Sequence, residues 1–243
     1  MKQLIFKIES NLPLTDNTYE MILSGDTSGI KAGQFVNIKL DGKFLRRPIS
    51  VCNAENNSLK IIYKVVGTGT ELMSNMTSGN LDILTCLGNG YDLTKSGDAP
   101  LLIGGGVGVP PLFMAAKELI KDKKSVSVIL GFNTKSEVFY ENEFKALGAN
   151  VFVTTVDGTY ETPGFVTDKM KDLTYSYFYT CGPEPMLKAV YKASVTDGQF
   201  SFEERMGCGF GACMGCSCKT VTGFKRICKD GPVLEKGEIL WEL

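Results

Sequence analysis

The sequence contains no histidine. That absence removes imidazole as base, nucleophile, haem ligand or metal ligand, and with it many hydrolase mechanisms and clusters of the Rieske type. Any metal here must be held by sulfur or oxygen. Net charge is missing too: 26 Lys and Arg stand against 27 Asp and Glu. No broad positive field is therefore offered to nucleic acid or to an anionic membrane. Long apolar runs are absent, none approaching the roughly 20 residues that cross a bilayer. The first residues, MKQLIFKIESNLPL, are interrupted by Lys7 and Glu9 and lack the apolar core of a signal peptide. A cytoplasmic protein is expected, binding neither nucleic acid nor membrane, and meeting a large neutral partner or a small ligand.

What is present divides the chain. At 243 residues it is long for one compact core. The runs LIFKI, YEMILS, QFVNIKL, ISVCN, LKIIYKVV and LDILTC read as short strands between turn signals, with one short helix over residues 70–76. Such a series predicts a small antiparallel β-barrel in residues 1–96. The polar stretch TKSGDAP, residues 94–100, marks the boundary. Beyond it, strands LLI, SVSVIL, NVFVTT and SYFYT alternate with helices expected over 111–121, through ENEFKAL, over 166–171 and over 184–193. That alternation predicts an α/β domain with a parallel sheet, residues 97–200, of the nucleotide-binding kind. Residues 201–243 hold GCGFGACMGCSCK and a short β-like tail, and read as a third small unit.

Of eight cysteines, Cys52, Cys86 and Cys181 are scattered, whereas Cys208, Cys213, Cys216, Cys218 and Cys228 crowd one segment. In a reducing compartment such crowding reads as metal binding before disulfides. The spacing Cys208-x4-Cys213-x2-Cys216 with a remote Cys228 is that of a plant-type [2Fe–2S] cluster. Two irons share four thiolates there, and the interspersed glycines let the loop wrap the cluster with its N–H groups aimed at sulfur. A structural zinc site and a redox disulfide set are the alternatives, and zinc usually shows two C-x2-C knuckles where this segment has one. Cys218 competes with Cys228 for the fourth place and is expected as an unligated thiol.

Two further regions point to nucleotides. LLIGGGVGVPPL sets Gly104, Gly105, Gly106 and Gly108 between a strand and a helix that Pro110 or Pro111 opens, an arrangement suited to a pyrophosphate. YTCGPEPM places Cys181, Gly182 and Pro183 at a later strand end, on the edge where open α/β sheets bind ligands. By themselves these also fit a tight turn and a buried thiol. Arg47, Pro48, Ile49 and Ser50, preceded by Arg46, follow a barrel strand, and a guanidinium with a nearby hydroxyl suits a diphosphate. A solvated arginine pair is the common alternative. Ile62, Tyr63 and Lys64, then Gly67 to Thr70, offer a second phosphate contact.

Taken in order, RPIS, the IYK and GTGT region, GGGVGVPP, CGPEPM and EERMGCGFGACMGCSCK closely resemble the electron-transfer subunits of type B dihydroorotate dehydrogenases. The resemblance spans nearly the whole chain. It implies a ferredoxin-reductase-like β-barrel holding FAD through Arg47, Pro48, Ile49, Ser50, Ile62, Tyr63, Lys64, Gly69 and Thr70, followed by the NAD domain. It implies a small [2Fe–2S] domain with ligands Cys208, Cys213, Cys216 and Cys228. It also implies a flavin-mononucleotide (FMN) catalytic partner that oxidises dihydroorotate in pyrimidine biosynthesis, as a 2+2 heterotetramer, with electrons passing through cluster and FAD to NAD. No general base is needed in this chain. Small subunits of ferredoxin:NADP oxidoreductases, hydrogenases and sulfide dehydrogenases look similar, and a zinc-stapled flavin-binding redox sensor is a reading of another class. Asn133, Thr134 and Lys135 would accommodate a 2′-phosphate and Glu137 would discourage one; NAD is expected.

Overall fold

The structure, a computed structural model, describes residues 1–241. Its first part contains β1 (Lys2–Pro13), β2 (Thr18–Ser24), β3 (Phe35–Ile38), β4 (Arg47–Glu55), β5 (Ser58–Lys64), helix α1 (Thr68–Ser74) and β6 (Asn80–Leu87). The six strands close into a barrel in the order β1-β2-β5-β4-β3-β6, every pairing antiparallel. Alternation explains why: Phe6 and Ile8 of β1, and Met21 and Leu23 of β2, point inward while Lys7 between the first two stays in water. Asn56 and Asn57, with φ of 51° and 61°, make the two-residue turn joining Glu55 to Ser58. Two left-handed residues match the twist of the strands they join.

The second part follows the expected alternation. It comprises β7 (Leu101–Gly105), α2 (Pro110–Lys121), β8 (Ser127–Phe132), α3 (Glu141–Leu147), β9 (Asn150–Thr155), β10 (Thr162–Pro163), α4 (Val166–Met170), β11 (Phe178–Cys181), α5 (Glu184–Ala193) and β12 (Gly198–Ser201). After the cysteine loop come a hairpin of β13 (Ser217–Thr220) and β14 (Gly223–Arg226), helix α6 (Ile227–Asp230) and β15 (Val233–Glu235). The sheet runs β10-β9-β8-β7-β11-β12-β15, parallel except for β15, which lies antiparallel to β12. β7 is buried at all five positions, as a strand covered on both faces must be. The strand β12, the hairpin and α6 have no counterpart among the expected elements. β15 brings the end of the chain back to the sheet edge.

Barrel and sheet share one apolar core, in which Val51 and Cys52 of β4 belong with Met114 and Ala115 of α2. The polar seam is also satisfied. Tyr140 donates its hydroxyl to Glu20 Oε2 at 2.6 Å, and Lys60 pairs with the same oxygen at 3.1 Å. The fully buried Cys52 thiol beside them is pushed up to about 12 by burial. Barrel and sheet are thus packed as one body.

Candidate functional site

A cleft of about 630 Å³ opens at the C-terminal ends of the parallel strands, the side on which such sheets bind ligands. Gly105, Gly106, Val107 and Gly108 form one wall, Gly182 and Pro183 another, and Lys64 reaches in from the barrel. The glycine loop is obligatory at two points. A Cβ on Gly108 would stand 2.2 Å from the carbonyl oxygen of Cys181, so the two ligand-side turns touch only because it has none. Gly106 has φ of 52° and open space where its Cβ would be. Pro110 is the first residue of α2, where its missing N–H costs nothing. Gly104, on β7, packs under the loop against Val109 and Leu112.

Cys181 closes β11 and is buried; burial, and after it the nearby Glu203, hold its thiol above the ordinary range. Glu137 lies in the cleft, its Oε2 accepting from the backbone N–H of Asn133 at 3.1 Å and from the side-chain amide of Asn133 at 2.9 Å. Lys64 Nζ stands 3.7 Å from Glu137 Oε1. Of the groups that would receive a 2′-phosphate, Asn133 is tied to Glu137, and Lys135 lies over the ring of Tyr160 at 5.4 Å. The free acceptor character at this strand end is acidic, which suits a ribose hydroxyl and opposes a phosphate.

On the barrel the two arginines part company. Arg46 is structural, donating to Asp82 Oδ1 at 3.0 Å and to the Asp82 carbonyl at 2.9 Å. Arg47 turns the other way and lies across Gly69, where a Cβ would stand 2.1 Å from Nε. The RPIS strand and the GTGT turn, distant in sequence, thus form one cradle, and among the described residues no carboxylate pairs with Arg47. Ile49 packs on the barrel core and Ser50 is half-buried. Thr70 uses its hydroxyl within the turn, donating to the Gly67 carbonyl at 3.1 Å and accepting from Val66 N–H at 2.9 Å. Ile62 and Tyr63 are buried, and Tyr63 donates to Asn11 Oδ1 at 3.0 Å while stacking on Tyr19 at 5.9 Å. What Ile62 and Tyr63 can offer a flavin is backbone, and Lys64 is turned toward the sheet.

The cysteine segment gathers its thiols as two pairs. Cys208 Sγ accepts from the N–H groups of Phe210 at 3.5 Å, Ala212 at 3.2 Å and Cys213 at 3.5 Å, and Cys213 Sγ from that of Cys208 at 3.4 Å. Cys216 Sγ accepts from Cys228 N–H at 3.4 Å. Burial works against ionising Cys208, but the Phe210 and Cys213 amides outweigh it and bring the thiol down to about 6. Burial, reinforced by Cys216 alongside, pushes Cys228 up to about 12. Among the described residues no three Cys, Asp or Glu converge on one point. Two pairs of thiols are what a plant-type cluster would use. Cys218 belongs to neither pair; it lines a second cavity of about 290 Å³ with Glu204 and Trp241. Asn37 of β3 donates to the Cys208 carbonyl at 3.1 Å, which moors the loop to the barrel wall.

Known proteins carry the same arrangement. Residues 203–240 match the iron-sulfur cluster binding domain of dihydroorotate dehydrogenase B, and residues 102–192 the oxidoreductase NAD-binding domain. The dihydroorotate dehydrogenase B (NAD(+)) electron transfer subunit of Bacillus pumilus is 45% identical, over 98% of both chains. That of Fusobacterium nucleatum is 46% identical, over 93% of this chain and 94% of its own. The chain belongs to the family of dihydroorotate dehydrogenase B electron transfer subunits.

Solved structures give this family's architecture the same reading. An NADH-dependent reduced ferredoxin-NADP oxidoreductase, described for flavin-based electron bifurcation, superposes with a TM-score of 0.89 at 26% identity, over 97% of this chain and 90% of that one. A Neisseria gonorrhoeae ferredoxin NADP+ reductase with bound FAD and NADP shares the fold, with a TM-score of 0.69 at 19% identity, over 79% of this chain and 90% of that one. The family's ferredoxin-reductase-like barrel, NAD sheet and C-terminal iron–sulfur segment are all present, and FAD, NAD and the cluster are its cofactors. No helix among the described residues is long and apolar enough to cross a membrane.

Two residues at these sites were not singled out by the sequence. Asn37 sits inside the apolar run FVNI and is 1% exposed; a polar residue in such a run is a cue to a buried hydrogen bond, but not to its partner. Glu203 lines the nucleotide cleft, and an acidic residue ahead of a cysteine loop reads as plain surface until β12 is known to deliver it there.

Proposed function

We propose that this chain joins an FMN-containing dihydroorotate dehydrogenase subunit to NAD+ in the cytoplasm, as half of a 2+2 heterotetramer serving pyrimidine biosynthesis. The observation that carries the reading is the contiguity of three sites: the cluster loop is moored to β3 of the barrel by Asn37, and Lys64 of the barrel enters the nucleotide cleft. When bound, FAD exchanges electrons singly or in pairs, and so connects a one-electron cluster to a hydride carrier.

The chain's own residues hold and orient. Arg47, set over Gly69, supplies charge to the flavin diphosphate, with Pro48, Ile49 and Ser50 continuing the strand beside it and Thr70 shaping the turn. Ile62 and Tyr63 present backbone, and Lys64, beside Glu137, faces the nucleotide. The amides of Gly105, Gly106 and Gly108 at the head of α2 receive the NAD pyrophosphate. Cys181, Gly182 and Pro183 form the small-residue floor against which a flat nicotinamide lies. Cys208 with Cys213, and Cys216 with Cys228, would hold the cluster, the amides around Cys208 favouring the thiolate there.

Reconstitution tests the reading. Alone, the chain should oxidise NADH with an artificial acceptor and leave dihydroorotate untouched; with the FMN subunit it should reduce NAD+ at the expense of dihydroorotate. Turnover of dihydroorotate by the chain alone would overturn the assignment, and so would a reconstituted complex that reduces ferredoxin instead of NAD+.

A further inference from the structure

Asn37 is a polar residue on an apolar face. In β3, Val36 and Ile38 point into the barrel core, while Phe35 and Asn37 alternate with them on the outer side. Phe35 joins the second apolar cluster, with Leu84 and Leu87 of β6 and with Cys216, Ile227 and Cys228 of the tail. Asn37, two positions on, is 1% exposed and meets the loop of the first thiol pair instead. One face of one barrel strand is thereby in touch with the segments that carry both pairs.

The Asn37 amide is poorly provided for. Its Nδ2 donates to the Cys208 carbonyl at 3.1 Å, but among the described residues nothing donates to its buried Oδ1. A buried acceptor left unmet has given up its bond to water and received none in return. Asn89, another barrel asparagine that grips the tail, shows what a bracing amide looks like. Its N–H donates to the Gly231 carbonyl at 2.7 Å, its Nδ2 donates to the Val233 carbonyl at 2.7 Å, and its Oδ1 accepts from the Val233 N–H at 3.1 Å. For stability alone, a leucine at position 37 would suit Phe35 beside it and Leu84 opposite it in β6 better than an amide does.

The contact with the loop is nevertheless tight. A Cβ on Gly209, whose φ is 78°, would stand 2.3 Å from Asn37 Nδ2, so the loop lies flat on the amide with no side chain between them. From the tail side, Arg226 Nη1 holds the Gly211 carbonyl at 3.1 Å. Within the barrel, Asn37 stands opposite Pro48, and Ile38 opposite Arg47, in the antiparallel pairing of β3 with β4. β4 is the strand proposed above to hold the flavin. At Asn37, therefore, the cluster loop and the flavin strand are one hydrogen bond and one strand pairing apart.

We propose that Asn37 is a positioning residue for electron exchange: it fixes the Cys208 loop at one distance from the flavin strand, at some expense of stability. The inference rests on the function proposed above, since it needs both cofactors in one chain. Electrons cross between cluster and flavin one at a time, and the Asn37 side chain neither gains nor loses any. What it supplies is a constant separation. Without the Nδ2 bond, a loop with glycines at 207, 209 and 211 is free to settle at several heights above β3, and a small displacement of reacting centres changes a rate by a large factor. An amide kept in an apolar place for the sake of geometry is the kind of local conflict that functional sites carry.

The test uses the full chain with FAD and cluster bound, as wild type, as Asn37→Leu, and as Asn37→Asp, which keeps the shape without the N–H. Mixed rapidly with NADH, the wild type should reduce its flavin and then its cluster, each followed by its own visible absorbance. In both variants the ratio of the second rate to the first should fall about ten-fold. Electron paramagnetic resonance of the reduced cluster supplies a readout independent of turnover. The wild-type signal should be one narrow set of g-values, and both variants should show a broadened spread as the Cys208 loop takes several positions. Thermal unfolding separates positioning from bracing: Asn37→Leu should match or exceed the wild-type Tm, whereas Asn89→Ala should lie well below it. A wild-type rate ratio and spectrum in Asn37→Leu or in Asn37→Asp would overturn the proposal. So would an Asn37→Leu Tm as low as that of Asn89→Ala. The ratio and spectrum of Asn37→Asp decide if the leucine variant does not fold. Wild-type chain that binds no cluster, or whose flavin NADH does not reduce, would instead sink the function on which the proposal rests.

Discussion

At the scale of single residues, the thiols divide by what surrounds their sulfur. Cys208 and Cys213 accept from each other's N–H and Cys216 accepts from Cys228 N–H, whereas Cys218 opens into a different cavity. Serine at any of the four should prevent cluster assembly, while Cys218→Ser should retain it; iron and acid-labile sulfide counts on the five variants decide. A cluster-free Cys218→Ser beside an intact Cys228→Ser would reverse the ligand assignment. Arg47 makes a second residue-scale case. Its guanidinium donates to the Leu45 carbonyl and, among the described residues, pairs with no carboxylate, and each charge-assisted hydrogen bond to a phosphate is worth about 1.5–3 kcal/mol. Arg47→Ala should therefore lose FAD on desalting at least ten-fold more readily, and Gly69→Ala should do the same by displacing the side chain. Flavin retained at full stoichiometry in both would make Arg47 a surface residue. The spacing of the cysteines was legible from sequence because four donors and their glycines lie within one short stretch. Glu203 was not, because what gives it meaning is Gly182 and Pro183, which only the parallel pairing of β11 with β12 brings near.

At the scale of elements, the barrel strands declared themselves by alternation, as in β1, where Lys7 separates Phe6 from Ile8. β12 could not do so: its four residues are all buried, so no period is visible, and it begins on a glycine that reads as a turn. The hairpin β13–β14 was hidden for another reason, since its residues were already claimed by the cysteine pattern. The glycine loop was half legible. Its place between strand and helix is a sequence feature, but the contact of Gly108 with the Cys181 carbonyl belongs to the fold. That contact yields a prediction at this scale. Gly108→Ala must push apart the loop heading α2 and the turn heading α5, so NADH affinity measured at equilibrium should fall at least ten-fold while FAD and cluster contents stay normal. Unchanged NADH affinity would mean that the two turns are not the nucleotide's walls.

At the scale of the whole molecule, the proposed function depends on the angle between barrel and sheet, because one would carry the flavin cradle and the other the nucleotide floor. Nothing in the residues of either domain announces that angle; it is set where they meet. Tyr140 is the residue most committed to the seam. It adopts a left-handed backbone, φ 67°, which a bulky side chain takes up only when its surroundings over-determine it. Its hydroxyl reaches Glu20 of β2, where Lys60 of β5 also binds, and its ring packs edge-on against Phe113 of α2 at 5.2 Å. One residue of the nucleotide domain thus grips two strands of the barrel. Tyr140→Phe keeps the ring and removes the donor, and Lys60 still neutralises Glu20, so the expected loss is that of one hydrogen bond to a charged group, about 1.5–3 kcal/mol. For a chain of this size that corresponds to a fall in Tm of roughly 3–10 °C. Because the apolar core runs through both domains, the barrel and the sheet should still lose structure in a single step. Thermal unfolding followed in parallel by flavin fluorescence for the barrel and by far-ultraviolet circular dichroism for the whole checks both parts. A flavin site that melts well before the rest would show that the domains are joined more loosely than the shared core requires, and an unshifted Tm would show that the Tyr140 to Glu20 bond does not hold the angle.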